Sequence, residues 1–133
     1  MFLISKMPVH YKTCLLIDDN YIDNFVTRRI LENGNFAENI IVHQSPTDAI
    51  EELRNGSIKP DVIFLDIRMP QMTGFEFLQE FETIAMDNKD NVKIFILSSS
   101  LDPTDLSKSL NNKYVAQFVH KPLTHEALEE LCT

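Results

Sequence analysis

Clustered positive charge is missing from this 133-residue sequence: 12 Lys and Arg stand against 20 Asp and Glu, a formal net charge of -8. The basic residues are scattered, so no patch is available to neutralise nucleic-acid phosphates. Long hydrophobic runs are missing too, and nothing approaches the length of a membrane span. The stretch Met1 to Met7 holds Phe2, Leu3 and Ile4 but is too short for a secretory apolar region and lacks a basic start. Cysteine is scarce. Cys14 and Cys132 have no metal-ligand spacing, which points to reduced thiols and a cytoplasmic location. His10, His43, His120 and His125 also show no metal spacing. With three glycines and neither a G-x-x-x-x-G-K-[ST] nor a G-x-G-x-x-G loop, a nucleotide-binding enzyme is disfavoured. Neither a low-complexity segment nor an internal repeat is present, and the length suits one domain.

What is present is a regular alternation. Thr13 to Ile17 (TCLLI) is a nearly continuous apolar run, as expected of a strand covered on both faces, and Asp18, Asp19 and Asn20 stop it. Ile22, Phe25, Val26 and Ile30 recur at helical spacing, and Gly34 stands where a helix C-cap is expected. Ile40 to Val42 reads as a second strand. Ser45 and Pro46 form an N-cap and first helical position ahead of Ala49, Ile50 and Leu53, and Asn55-Gly56 closes that helix. Val62 to Leu65 is the third strand, and Asp66 to Gly74 (DIRMPQMTG) must be a loop. Phe75, Leu78, Phe81 and Ala85 mark a third helix. Val92 to Leu97 is the fourth strand, running into Ser98, Ser99 and Ser100. Asp102-Pro103 opens a short helix whose only clear apolar positions are Leu106 and Leu110, a marginal helix suited to movement. Tyr114 to Val119 gives a fifth strand. Thr124 then caps a last helix carrying Ala127, Leu128 and Leu131.

Five such alternations predict an α/β fold with a five-stranded parallel sheet and helices on both faces, because parallel neighbours need crossover connections. Ligands of open sheets bind beyond the carboxyl ends of the strands. Asp18, Asp19, Asp66, Ser98 and Lys121 all follow strands and should share that edge. Three clustered carboxylates repel and raise one another's pKa unless a cation intervenes, and Mg2+ prefers oxygen donors and bridges to phosphate. Taken singly, each residue has a plainer role: Asp18-Asp19 as a helix cap, Asp66 and Ser98 as turn formers, Lys121 as a solvated surface group. One at each strand end, in this order, they suggest a pocket in which Asp66 attacks phosphorus to form an acyl phosphate.

The acidic pair within LLIDDN (Leu15 to Asn20), the D-x-x-M-P-x-x-x-G motif at Asp66 to Gly74, the hydroxyl at Ser98 and the Lys121-Pro122 step together resemble the receiver domains of two-component response regulators. The resemblance covers about residues 12–132. It implies a flavodoxin-like doubly wound (βα)5 fold with strand order 2-1-3-4-5, a domain over residues 12–133 and an N-terminal extension over 1–11. It further implies that Asp66 accepts a phosphoryl group from a histidine kinase or phosphotransfer protein. Mg2+ would be bound by Asp19, Asp66 and the backbone carbonyl of Arg68, with Asp18 acting mainly through water. Lys121 would contact the phosphoryl group, and Ser98 would move to hydrogen-bond it. The aromatic residue coupled to that motion is Phe118, which lacks a hydroxyl and must act through packing. The Arg68 side chain has two readings, a cover over the phosphoryl group or a solvated arm.

The chain stops at Thr133 directly after the last helix, as expected of a stand-alone receiver acting as a monomer or a phosphorylation-dependent dimer. Such a protein is no enzyme beyond its own phosphorylation and dephosphorylation. Its downstream partner would bind the surface of roughly residues 103–132. Two other readings compete: a receiver fold that binds its partner regardless of phosphorylation, and a phosphatase working through an aspartyl phosphate. The phosphatase reading wants a second acid two residues after the nucleophile, where this sequence has Arg68.

Overall fold

The computed structural model describes residues 10–132. Of the expected N-terminal extension, residues 1–9 lie outside the described residues. Five strands alternate with five helices: β1 (Tyr11–Ile17), α1 (Tyr21–Asn33), β2 (Ala37–His43), α2 (Pro46–Asn55), β3 (Val62–Leu65), α3 (Gly74–Glu82), β4 (Lys93–Ser98), α4 (Pro103–Leu110), β5 (Val115–His120) and α5 (His125–Leu131). A 3-10 turn, Lys89–Asn91, precedes β4. All strand pairs are parallel, in the order β2-β1-β3-β4-β5 that the family resemblance implied. No helix among the described residues is long and apolar enough to cross a membrane.

The uninterrupted apolar runs are explained by two cores, one on each face of the sheet. Leu15, Ile17, Ile63, Leu65, Ile94 and Ile96 point to the face covered by α2 and α3, where Ala49, Ile50, Leu53, Phe77, Leu78 and Phe81 meet them. Their neighbours Cys14, Leu16, Val62, Phe64, Phe95 and Leu97 point to the other face, against Leu31 of α1 and Leu128 and Leu131 of α5. On that side Phe36, Phe64 and Phe95 form a chain of ring contacts at 5.6 and 5.3 Å. Each fully buried side chain of this size contributes roughly 1.5–3 kcal/mol. Burial also holds the Cys14 thiol far above its usual range, so it stays protonated and inert.

Three helices depart from the reading of their apolar pattern, the least of them α3, which ends at Glu82 and leaves Ala85 beyond it and exposed. In α1, Ile22 and Phe25 are 69% and 56% exposed, and Val26 also faces out, while Asn24, Thr27 and Leu31 are buried. The orientation follows from Asn24, whose Nδ2 donates to the Asp18 carbonyl at 2.7 Å and turns its own face of the helix inward. In α4, Leu106 and Leu110 are 41% and 55% exposed, and Asp105 and Ser109 are buried in their place. Among the described residues, α4 supplies none to either core.

The caps match expectation where the residue types are specific. Ser45 caps α2 with Pro46 at its start, Asp102 caps α4, and Thr124 caps α5. Gly56 ends α2 in the left-handed region at φ 79°. Gly34 ends α1 with φ -85°, so its value lies in space: a Cβ there would meet Leu128 Cδ2 at 2.5 Å.

Candidate functional site

Backbone register assembles the site before any side chain acts. Ile17 pairs with Leu65 across β1 and β3, and the amide of Asp66 donates to the Ile17 carbonyl at 3.0 Å. The amide of Asp18 donates to the His43 carbonyl at 3.2 Å, so Asp18 and Asp66 leave adjacent strands side by side. On the other flank Ser98 pairs with His120, and the Lys121 amide donates to the Ser98 carbonyl at 3.0 Å. The Lys121-Pro122 peptide is cis.

Asp18, Asp19 and Asp66 each present a carboxylate oxygen within 4.8 Å of the others. Asp18 is buried and fully engaged: its Oδ1 accepts from the Asn20 amide at 2.9 Å and its Oδ2 from Lys121 Nζ at 2.7 Å. Asp19 is exposed beside it. Neither acid caps α1, because Asn20 does so, its Oδ1 accepting from the Asp23 amide at 2.9 Å. This removes the capping role that the sequence left open for the pair.

Asp66 lies at the floor. Its Oδ1 accepts from the Ile67 amide at 2.9 Å, and Lys121 Nζ lies 3.6 Å away. Burial first, then the charge of Asp18 and to a lesser extent Asp19, pushes the Asp66 carboxyl up to about 6, against the opposing pull of Lys121 and the Ile67 amide. Lys121 is held above its ordinary range: burial pulls it down, but hydrogen bonds to Asp18 and Asp23 and the charges of Asp66 and Asp18 outweigh that. Asp23, from the first turn of α1, reaches Lys121 Nζ at 2.8 Å.

One ammonium therefore faces four carboxylates, Asp18, Asp19, Asp23 and Asp66. The surplus negative charge, carried on hard oxygen donors, fits a divalent cation of the Mg2+ type.

Ser98 is buried at the pocket wall, and its Oγ accepts from the Ser100 amide at 3.1 Å. Phe118 is half-buried against the α2–α3 core, with its ring edge to His120 at 5.2 Å between centroids. The Arg68 side chain is 64% exposed, as its reading as a solvated arm expects, yet it is not free of partners. Its Nη2 donates to Asp105 Oδ2 at 2.5 Å, across to α4.

The loop after Asp66 is shaped by Gly74. Its amide donates to the Ile67 carbonyl at 2.8 Å, and a Cβ at this position would lie 2.6 Å from the Asp66 carbonyl oxygen. Met69 and Ile67 turn into the core and anchor the loop from below. Sequence reasoning missed Asp23, Asn24 and Asp105. Asp23 had a usable signal, since it is an acid in the first turn of the helix that directly follows the acidic pair. Asp105 had none for its bond to Arg68, which is 37 residues away, although its second partner Ser100 is only five residues before it.

The sequence profile of the family described as response regulator receiver domain matches residues 14–133. A two-component response regulator of Arabidopsis thaliana (ARR17) is 33% identical, over 88% of this chain and 80% of its own length. The sensor histidine kinase CheAY of Helicobacter pylori is 28% identical over 86% of this chain, which spans only 14% of that kinase. Among solved structures, a two-component response regulator from Cytophaga hutchinsonii is 35% identical with a TM-score of 0.80, covering 91% of this chain and 93% of that one.

Proposed function

Because the chain belongs to the response regulator receiver domain family, we propose that it accepts a phosphoryl group on Asp66 from a histidine kinase or histidine phosphotransfer protein and signals by altering a protein-binding face. One observation carries this reading: a buried carboxylate at a sheet edge, flanked by two further acids within 4.8 Å and by an ammonium at 3.6 Å. The similarity to a segment of a sensor histidine kinase supports the choice of donor.

Asp66 is the nucleophile. Its oxygen attacks phosphorus as the bond to the donor's imidazole nitrogen breaks; the ring, already protonated on its other nitrogen, keeps the electron pair and leaves as neutral imidazole, and an acyl phosphate remains on the protein. Asp19, Asp66 and the Arg68 backbone carbonyl would hold Mg2+, with Asp18 reaching it through water. When bound, the ion neutralises charge on the transferring group. Lys121 supplies a fixed positive charge on the opposite side, and its bonds to Asp18 and Asp23 keep it aimed. Ser98 offers a hydroxyl proton to a phosphoryl oxygen. The positioning is largely complete before a donor arrives, as phosphoryl transfer requires.

The donor must reach Asp66 from the open edge, where Tyr21, Ile22, Phe25 and Val26 form an exposed apolar face on α1. Val26 and Thr27 line a cavity together with Asp23, Ser99, Lys121 and Pro122, so this face is continuous with the pocket. We assign it to the donor, and the surface of α4, β5 and α5 to the downstream partner. A cytoplasmic location belongs to the same proposal.

Incubation with a small phosphodonor and Mg2+ tests the reading. Asp66 should become labelled, Asp66→Asn should remain unlabelled, and omission of Mg2+ should abolish labelling of the wild type. Equal labelling of Asp66→Asn would show that the acceptor lies elsewhere.

A further inference from the structure

α4 is fastened by polar contacts on its inner face. Asp105, whose side chain is 7% exposed, receives two hydrogen bonds on a single oxygen: Arg68 Nη2 at 2.5 Å and Ser100 Oγ at 2.6 Å. One turn later Ser109 Oγ donates to the Asp105 carbonyl at 2.7 Å. The leucines of this helix face outward, so little apolar burial holds it down. Both donors to Asp105 come from loops of the phosphoacceptor pocket. Arg68 follows Asp66 by two residues, and Ser100 follows Ser98 by two and donates its amide to Ser98 Oγ at 3.1 Å.

We infer that Asp105 is the positioning residue through which the state of Asp66 reaches α4, a reading that rests on Asp66 being the phosphoacceptor. A phosphoryl group adds about -1.5 to -2 charge at the pocket. It draws the Ser98 hydroxyl toward itself as a donor, and the Ser100 amide bonded to Ser98 Oγ follows. Ser100 Oγ is thereby pulled off Asp105. The same phosphoryl group competes with a singly charged carboxylate for the Arg68 guanidinium, whose forked donors suit phosphate oxygens and whose side chain is 64% exposed and free to swing. The carboxylate loses both partners in one event. Buried and unpaired it is costly, so α4 turns or loosens to bring it to water. Phe118 has no hydroxyl with which to carry such a signal, and its ring is packed on His120. The Asp105 contact supplies a polar route in its place.

Amide hydrogen exchange over residues 103–110, with and without Mg2+ and beryllofluoride as the phosphoryl mimic, tests this. In the wild type the mimic should speed α4 exchange by about tenfold or more, the scale of losing one charge-assisted hydrogen bond. Asp105→Asn should show fast α4 exchange without the mimic and less than about a twofold further change. Its Asp66 should still be labelled by a small phosphodonor. A wild-type response in Asp105→Asn overturns the inference. Should that variant lose protection in β1 and β3 as well, Ser100→Ala and Arg68→Ala decide instead: each removes one donor and should shrink the α4 response, and an undiminished response in both overturns it. Wild-type protein that takes up neither label nor mimic defeats the phosphoacceptor reading itself. Labelling without any α4 response defeats only the role of Asp105.

Discussion

Lys121 is the residue on which the pocket's charge balance turns. Its ammonium is the direct partner of Asp18 and Asp23 and the near neighbour of Asp66. Lys121→Ala strands the buried Asp18 carboxylate, and losing one partner of such a pair costs roughly 3 kcal/mol. Denaturant unfolding should show that loss, and added Mg2+ should recover part of it by supplying countercharge; no recovery would mean that the acids do not share an ion. The Asp66 carboxyl has the opposite character. Raised to about 6 in the folded chain, it is more easily protonated there than when unfolded. Its contribution to stability is therefore full below the unfolded value and is lost as pH rises through about 6. In chelator-treated protein, Asp66→Asn should melt higher than the wild type at pH 7, and the two curves should converge by about pH 4. Equal melting temperatures across that range would show that Asp66 is not strained by its neighbours. Mg2+ should also close the gap at pH 7, because it stabilises the wild-type carboxylate.

Elements translate these residues into geometry, and Gly74 shows how tightly. A Cβ at Gly74 would meet backbone, the Asp66 carbonyl oxygen at 2.6 Å and Ile67 Cα at 3.0 Å, neither of which can rotate away. At Gly34 the obstacle is the tip of the Leu128 side chain. Gly74→Ala should thus cost about 1–3 kcal/mol and slow labelling of Asp66, whereas Gly34→Ala should leave labelling at its wild-type rate. Comparing initial labelling rates of the two variants checks this, and equal rates would show that α3 is not braced against the Asp66 loop. The same elements show what could be read in advance. Val62 to Leu65 was legible to the residue because a strand buried on both faces writes an unbroken apolar run. The helix starts at Pro46, Pro103 and His125 were legible because Ser45, Asp102 and Thr124 use local cap chemistry. The strand ends Asp18, Asp66 and Ser98 followed from those runs. The facing of α1 and α4 was not legible. There the buried side is chosen by Asn24, which bonds a backbone carbonyl, and by Asp105, which bonds a distant arginine and Ser100, and apolar periodicity carries no trace of these polar contacts. The Arg68 contact escaped for the same reason.

At the scale of the whole molecule, the two sides of the site are built from unlike material. The α1 side presents exposed Tyr21, Ile22, Phe25 and Val26 next to the acids, while the α4 side is tied in by polar bonds and contributes nothing to the cores. An apolar face of this kind on a chain of net charge -8 is suited to a protein partner, since charge alone would repel another acidic surface. Its residues are solvent-exposed, so replacing them should disturb stability by less than about 0.5 kcal/mol. On the proposed reading a donor protein uses this face to bring its phosphohistidine over Asp66, whereas a small phosphodonor needs no docking face. The double variant Ile22→Ser with Phe25→Ser should therefore lose about tenfold or more in transfer from a phosphorylated donor protein, as expected when anchoring apolar residues leave an interface. With a small phosphodonor its labelling rate should stay within about twofold of wild type, because every group lining the pocket is retained. Parallel losses with both donors would place these side chains in support of the pocket, and undiminished transfer from the donor protein would place the docking face elsewhere on the surface.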